Sequence, residues 1–336
     1  MTPKPRLALI GCGGIAGGYG DEKWGHLLSL EELGIRVDTY CDTNLAAAER
    51  RLRQYGGRRV TASAEEVFED AAIDAVLICT RHDSHADLAV AAAKAGKHVF
   101  IEKPLALNEQ ECQRIVEAQR QFGVKIMVGH SKRYTPAVKA LAEMRGRAQA
   151  IIVENTEPTW VPADNWATNP VQGGGQVFLC GIHSADSLLY LAASEPLSIY
   201  AIGGPVTPAG PAAINRAYAV IDFENGMKGV FVSGDVGGGD YLSKFSIQFY
   251  TGKGCAVAHN RLKDLEVTDI PELKPVHAAG ENFNDVMRDF VRCLTEDKPS
   301  PIPPEEGLRA TRLAQRMIES IRRGGPVSWT RKKIEG

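Results

Sequence analysis

Residues 6–128 alternate short, continuous apolar runs with helical segments, and this alternation constrains the fold more than any other feature of the 336-residue chain. Residues 6–10, 35–41, 75–79, 98–101 and 124–128 read as strands. Helical patterns lie between them at 45–55, 86–95 and 109–122, the last opened by Asn108 and closed by Gly123. A strand that is apolar throughout is covered on both faces, so such runs separated by helices imply a doubly wound parallel sheet, an α/β domain of the Rossmann kind. After residue 129 the texture changes. Residues 150–156, 198–202, 217–223, 227–232 and 245–250 read as strands, several joined by short turns such as Glu224-Asn225-Gly226. They predict an α+β domain on an open, mostly antiparallel sheet. A helix is expected at 176–191 and two more at 283–295 and 304–323. We place the boundary between a first domain, 1–128, and a second, 129–336. The C-terminal helices of the second are free to pack back on the first.

Glycine accounts for 34 residues, above the usual ~7%, and it is clustered. Gly11-Cys12-Gly13-Gly14-Ile15-Ala16 directly follows the first strand and reads G-x-G-x-x-A. The first glycine permits a tight turn, Gly13 lets the backbone approach a pyrophosphate, and the small Ala16 lets helix and strand pack closely. The helix N-terminus then offers free N–H groups to the phosphates. Asp42 ends the second strand, where an acid accepts hydrogen bonds from ribose hydroxyls. It follows Ala16 by more than the usual ~20 residues, and residues 17–25 take up the excess. A carboxylate there repels the 2′-phosphate of NADP, and Thr43-Asn44 offers no compensating cation, so NAD is expected over NADP. Arg50, Arg51 and Arg53 read as the solvated face of the next helix.

Lys and Arg total 39 against 41 Asp and Glu, a net charge of −2, which gives no polybasic footprint for nucleic acid or an anionic membrane. No apolar run approaches the ~18 residues of a membrane span, and the N-terminus lacks the apolar stretch of a secretory signal. The cysteines, Cys12, Cys41, Cys79, Cys112, Cys180, Cys255 and Cys293, form no C-x-x-C pair. An odd, scattered set suits a reducing, cytoplasmic compartment and core packing, with no metal site expected.

Three further motifs resemble those of the glucose–fructose oxidoreductase, inositol dehydrogenase and rhizopine-catabolism (Gfo/Idh/MocA) family. Thr80-Arg81-His82-Asp83-Ser84-His85 stands where that family has T-P-x-x-x-H, with Arg81 replacing the proline. Glu102-Lys103-Pro104 is its E-K-P. Gly173-Gly174-Gly175 followed by Gly181-Ile182-His183-Ser184-Ala185-Asp186 resembles its G-G-G…D-x-G-x-H-x-x-D. The resemblance implies NAD(P)-linked oxidation of a sugar or polyol hydroxyl. It adds Gly14, Ile15, Thr80, His85 and Glu102 to the cofactor-binding set of Gly11, Gly13, Ala16 and Asp42. It also implies a homodimer or homotetramer, since members often pair through the open sheet.

Residue chemistry points the same way. Oxidising a secondary alcohol requires hydride loss to a nicotinamide and proton loss to a base. Lys103, at a strand's carboxyl end, is placed to hydrogen-bond the substrate oxygen and stabilise a developing alkoxide. His183 is the candidate general base. The family places an Asp four residues before this histidine; here that residue is Leu179. Asp186 either orients His183, binds a substrate hydroxyl or serves the helix. Gly129-His130-Ser131-Lys132-Arg133-Tyr134 resembles the family's G-x-x-x-R, so Arg133 and Tyr134 either line the substrate site or serve the scaffold. Trp160, Asp164, Asn165 and Trp166 suit sugar stacking and hydrogen bonding or, equally, loop packing, with Trp166 the substrate candidate. Trp24 and His26 carry no assigned role. Two alternatives to a dehydrogenase remain: an NAD-retaining glycosidase acting by transient C3 oxidation and elimination, and a non-catalytic NAD- or sugar-sensing regulator.

Overall fold

The computed structural model describes residues 4–19, 23–156, 164–205, 214–234, 244–277 and 283–330. Trp160 and Gly237 to Gly239 lie outside the described residues. The elements run β1 (Leu7–Ile10), α1 (Gly14–Gly17), α2 (Gly25–Glu32), β2 (Val37–Cys41), α3 (Leu45–Tyr55), β3 (Arg59–Thr61), α4 (Ala64–Glu69), β4 (Ala75–Ile78), α5 (His85–Lys94), β5 (His98–Ile101), α6 (Glu109–Phe122) and β6 (Ile126–Val128). They continue with α7 (Pro136–Ala142), β7 (Ala150–Asn155), α8 (Ile182–Ala192), β8 (Pro196–Gly204), β9 (Arg216–Phe223), β10 (Lys228–Gly234), β11 (Phe245–Tyr250), β12 (Cys255–His259), β13 (Asp264–Thr268), β14 (Val276–His277), α9 (Phe283–Thr295), α10 (Pro304–Arg323) and β15 (Val327–Ser328).

The chain divides into two compact units, residues 1–131 with 282–308, and residues 132–281 with 309–336. In the first unit six parallel strands lie in the order β3-β2-β1-β4-β5-β6. β1 and β4 are buried at every position, as their unbroken apolar runs require. The chain order reverses between β1 and β4, so the loops leaving these neighbouring strands open one crevice at their carboxyl ends. Helix ends follow the expected chemistry: the Asn108 side chain accepts from the Glu111 N–H at 2.9 Å, and Gly123 adopts the left-handed conformation that closes α6. α9 packs on α2 within this unit.

The second unit holds a nine-stranded sheet in the order β14-β13-β12-β11-β7-β10-β9-β8-β15, antiparallel except for β7 beside β10. The Glu224-Asn225-Gly226 turn joins β9 and β10 as an antiparallel hairpin. Burial alternates along its strands. Ile151, Val153, Ala219, Ile221 and Phe231 are buried on the face that carries α8. The other face bears an unbroken cross-strand row, Tyr200–Val220–Val230–Ile152, in which Tyr200 is 43% and Val220 55% exposed. No described helix is long and apolar enough to cross a membrane, and all seven cysteines are free thiols.

The expected helix over 176–191 forms with a difference. Residues Val177–Gly181 make a π-helical turn, and α-helix begins only at Ile182. Gly174 and Gly175, both in the left-handed region at φ +78° and +76°, swing the chain into this turn, a conformation a β-carbon would strain. The wider turn displaces the ladder, and the buried Asn155 side chain donates to the Cys180 carbonyl at 3.4 Å.

Candidate functional site

The first unit gathers Gly11 to Ala16, Asp42, Thr80 and Glu102-Lys103 at the carboxyl ends of β1, β2, β4 and β5. Gly11 sits at φ +93°, and a β-carbon there would lie 2.5 Å from the Cys79 carbonyl oxygen, so only glycine lets the loop turn across the end of β4. Gly13 is exposed and nothing stands within 4 Å of where its β-carbon would be. That open backbone is what close approach by a pyrophosphate requires. Ala16 is fully buried beneath the loop. Ile15 is half-buried on the same one-turn helix, and the Tyr19 ring lies over Gly14. The Asp42 carboxylate accepts from the Cys12 N–H at 2.7 Å and the Asn44 N–H at 2.8 Å. Each oxygen keeps a lone pair for a ribose hydroxyl. These residues therefore fit an NAD adenosine and pyrophosphate: backbone donors and open space at Gly13, an acid at the end of β2, and, among the described residues, no cation paired with that acid to receive a 2′-phosphate.

One expectation is corrected here. Arg51 does not lie on a solvated face; it is 2% exposed, turned under the glycine loop. Its neighbours on that helix face are the buried Ala48 and the half-buried Tyr55, whose hydroxyl donates to the Gly17 carbonyl at 2.9 Å.

The E-K-P segment is braced on both sides of its lysine. His26, from α2, is fully buried and its Nε2–H donates to Glu102 Oε1 at 2.6 Å. Glu102 Oε2 accepts from the Lys103 N–H at 3.2 Å. Burial alone would raise the Glu102 carboxyl, but the His26 hydrogen bond and the charges of His26 and Lys103 outweigh it and hold the group below the ordinary carboxylate range. An ionised acceptor keeps a proton on His26 Nε2. Sequence reasoning left His26 without a role; its only local signal is a histidine on the helix face that carries Leu27 and Leu30. On the other side, His85 Nδ1–H reaches the Pro104 carbonyl at 2.7 Å and Nε2 lies 3.3 Å from the Thr80 carbonyl. Burial pulls the His85 pKa below that of a free imidazole, against the two carbonyl contacts that raise it. His85, expected among the cofactor ligands, is enclosed and instead ties the Thr80 turn to the E-K-P turn. Thr80 Oγ1 accepts from the Ser84 hydroxyl at 2.8 Å. From Val99 to Ala106, Lys103 is the one residue that is not buried.

The second unit lines up Arg133, Tyr134, Asp186 and His183 about α8. Arg133 and Asp186, expected as substrate ligands, hold each other: Nη2 to Oδ1 is 2.6 Å and Nε to Oδ2 is 3.0 Å, with side-chain exposures of 7% and 2%. The guanidinium also stacks over the Tyr190 ring at 4.4 Å. Burial of both charged groups makes this a strut from residues 131–134 to α8, because a planar fork facing a carboxylate satisfies both. Tyr134 is buried beside it. Trp166 packs on Ala167, Leu179 and Cys180, so Leu179 occupies an apolar patch where the motif resemblance leads one to expect a carboxylate. Asn165 caps the Trp166–Thr168 turn, its Oδ1 accepting from the Ala167 N–H at 3.0 Å. From Val177 to Ala192 only His183 and Tyr190 escape burial.

Comparison with known proteins decides the family. A profile described as oxidoreductase family, NAD-binding Rossmann fold, matches residues 6–130, and the GFO/IDH/MocA C-terminal domain matches residues 145–257. The chain belongs to the Gfo/Idh/MocA oxidoreductase family. It is an NAD-binding oxidoreductase on the two-domain Gfo/Idh/MocA architecture. Among curated relatives it is 26% identical to myo-inositol 2-dehydrogenase of Thermotoga maritima, covering 94% of this chain and 96% of that one. Among solved structures it shares the fold of an oxidoreductase domain protein from Kribbella flavida, with a TM-score of 0.87 at 19% identity over 98% of this chain and 100% of that one. It also shares the fold of a levoglucosan dehydrogenase solved with NADH and levoglucosan, with a TM-score of 0.85 at 21% identity over 96% and 98% of the two chains.

Proposed function

We propose that this Gfo/Idh/MocA member is a cytoplasmic NAD-dependent dehydrogenase acting on CH–OH groups, interconverting a secondary hydroxyl and a ketone on a sugar, sugar derivative or cyclitol. The observation that carries the reading is that Lys103 is the one residue from Val99 to Ala106 that is not buried, on a turn braced by the His26–Glu102 and His85–Pro104 hydrogen bonds, and that His183 escapes burial, with Tyr190, on the segment from Val177 to Ala192. The names of its relatives, inositol and levoglucosan dehydrogenases, support the substrate class.

Gly11, Gly13, Gly14, Ala16 and Asp42 would hold NAD. The chemistry it supplies when bound is hydride acceptance. The protein's part is the proton. Lys103 Nζ binds the substrate oxygen and lowers the energy of the alkoxide that forms as the hydroxyl ionises. His183 takes that proton as general base, with no carboxylate at position 179 behind it. Glu102 and His85 fix the lysine's backbone, Glu102 through the Lys103 N–H and His85 through the Pro104 carbonyl. Substrate-binding duty falls to Lys103 and His183 and the Trp166 edge, while Arg133 and Asp186 position α8. The exposed row on the second sheet supports pairing with a second copy through that face. Light scattering in solution should return a dimer or tetramer, and a single-chain mass contradicts that part of the reading.

Incubation with NAD and a panel of hexoses, deoxy sugars, cyclitols and glycosides tests the reading by the fate of the cofactor. A polyol in the panel should give NADH in step with ketone. Cleavage of a glycoside without net NADH would select the glycosidase alternative, and NAD binding with no turnover the regulator. Cofactor preference is tested separately. Asp42→Ala removes the ribose acceptor and the repulsion of a 2′-phosphate together, so KM for NAD should rise roughly tenfold to a hundredfold. KM for NADP should hold or fall. An unchanged preference refutes the ribose role.

A further inference from the structure

The glycine loop contains an interruption that calls for compensation. In a dinucleotide-binding βαβ unit the helix after the fingerprint runs on, and its aligned peptides give the N-terminus a positive potential toward the pyrophosphate. Here α1 stops after Gly14–Gly17, and the next helix starts at Gly25. A single turn has almost no macrodipole, and its end carbonyls have no helical partner.

Arg51 answers both deficits. Nε donates to the Cys12 carbonyl at 3.2 Å, one Nη to the Gly17 carbonyl at 3.1 Å and to Gln54 Oε1 at 2.7 Å, and the other to the Gly13 carbonyl at 3.1 Å and to the Gly18 carbonyl. All five N–H groups of the guanidinium are matched. Every acceptor is neutral, and among the described residues no carboxylate pairs with this cation. A buried charge is costly without a counter-charge, and hydrogen-bonding to dipoles leaves the net charge in place. The carbonyls it holds include those of Cys12 and Gly13, and the space where a Gly13 β-carbon would stand is open.

We propose that Arg51 is a positioning residue for the cofactor's pyrophosphate, replacing the truncated helix by a cation held beneath the glycine loop, with the dianionic pyrophosphate as a counter-charge to it. The proposal rests on the loop holding NAD and is independent of which hydroxyl is oxidised. Because Arg51 faces the loop from below, it is withdrawn from any 2′-phosphate, in keeping with NAD as the cofactor.

The test compares wild type, Arg51→Lys and Arg51→Met by calorimetric titration with NAD, ADP and adenosine. For Arg51→Met, Kd for NAD and ADP should rise roughly tenfold or more, while adenosine, which carries no phosphate, binds as it does to wild type. Arg51→Lys keeps the charge but not the fork and should fall between. In steady-state assays KM for NAD should rise while KM for the polyol holds. Equal losses for adenosine and NAD would mean that Arg51 only supports the loop, and would overturn the proposal. So would unchanged NAD binding in both variants. If Arg51→Met does not fold, an Arg51→Lys variant that binds NAD and adenosine with the same loss overturns it as well. Wild type that binds no NAD would instead overturn the cofactor reading on which the proposal rests.

Discussion

Lys103→Ala should lower kcat about 10²- to 10⁴-fold, the range lost when a positioned proton-handling group is removed, while NAD affinity stays at the wild-type value. The split follows from where the side chain lies. Lys103 is the accessible point of a buried segment, and the atoms bracing it, the Glu102 carboxylate and the Pro104 carbonyl, engage its backbone and its neighbour rather than its ammonium carbon chain. Truncation therefore removes Nζ and its charge beside Glu102 while leaving the hydrogen bonds to the Lys103 N–H and the Pro104 carbonyl in place. Single-turnover kinetics alongside NAD titration make the measurement. Wild-type turnover in the variant would remove Lys103 from the chemistry. A parallel loss of NAD binding would make it a cofactor ligand instead.

Arg133→Met should cause the largest loss of stability of any single substitution considered. It leaves the Asp186 carboxylate, 2% exposed, without the guanidinium that satisfies both oxygens. Removing one partner of a buried ion pair costs about 3–5 kcal/mol, because the remaining charge is stranded. For a unit of this size that corresponds to a fall of roughly 6–20 °C in the thermal midpoint of the second unit. The double variant Arg133→Met/Asp186→Asn should recover much of it, since no charge is then stranded. A shift of under about 2 °C in the single variant would show that the pair is not a strut. Because α8 carries His183, the single variant should also lose activity at temperatures well below its midpoint.

Much of the fold is legible in the sequence because the relevant signals are local. Asn108 and Gly123 mark both ends of α6 by capping chemistry alone, and the apolar runs of β1, β4 and β5 require burial on both faces. Short strands such as β3 and β12 to β15 escape notice because their residues are mixed and their pairing is set by distant neighbours. The site divides along the same line. The glycine loop and the E-K-P turn are contiguous motifs and can be read directly. Arg51, His26 and the Arg133–Asp186 pair act through contacts 30 or more residues away along the chain. Charge on an amphipathic helix normally marks the wet face, and Arg51 inverts that rule because the loop above it supplies carbonyls in place of water. A clue does exist: Arg51 falls on the same helix face as Ala48 and Tyr55, where a solvated arginine has no place. The π-helical turn has no such clue, since its residues are all apolar and fit an α-helix equally well.

The central claim is that a hydrogen leaves a ring carbinol carbon as hydride while the chain's own groups take the proton. Incubating the protein with NAD and cyclitols or hexoses deuterated at the carbinol carbons, and reading the nicotinamide by mass spectrometry, tests this directly. The account predicts deuterium in the reduced cofactor for the substrate that turns over, together with a lower kcat for the deuterated form. Turnover of that substrate with no deuterium reaching the cofactor would contradict it.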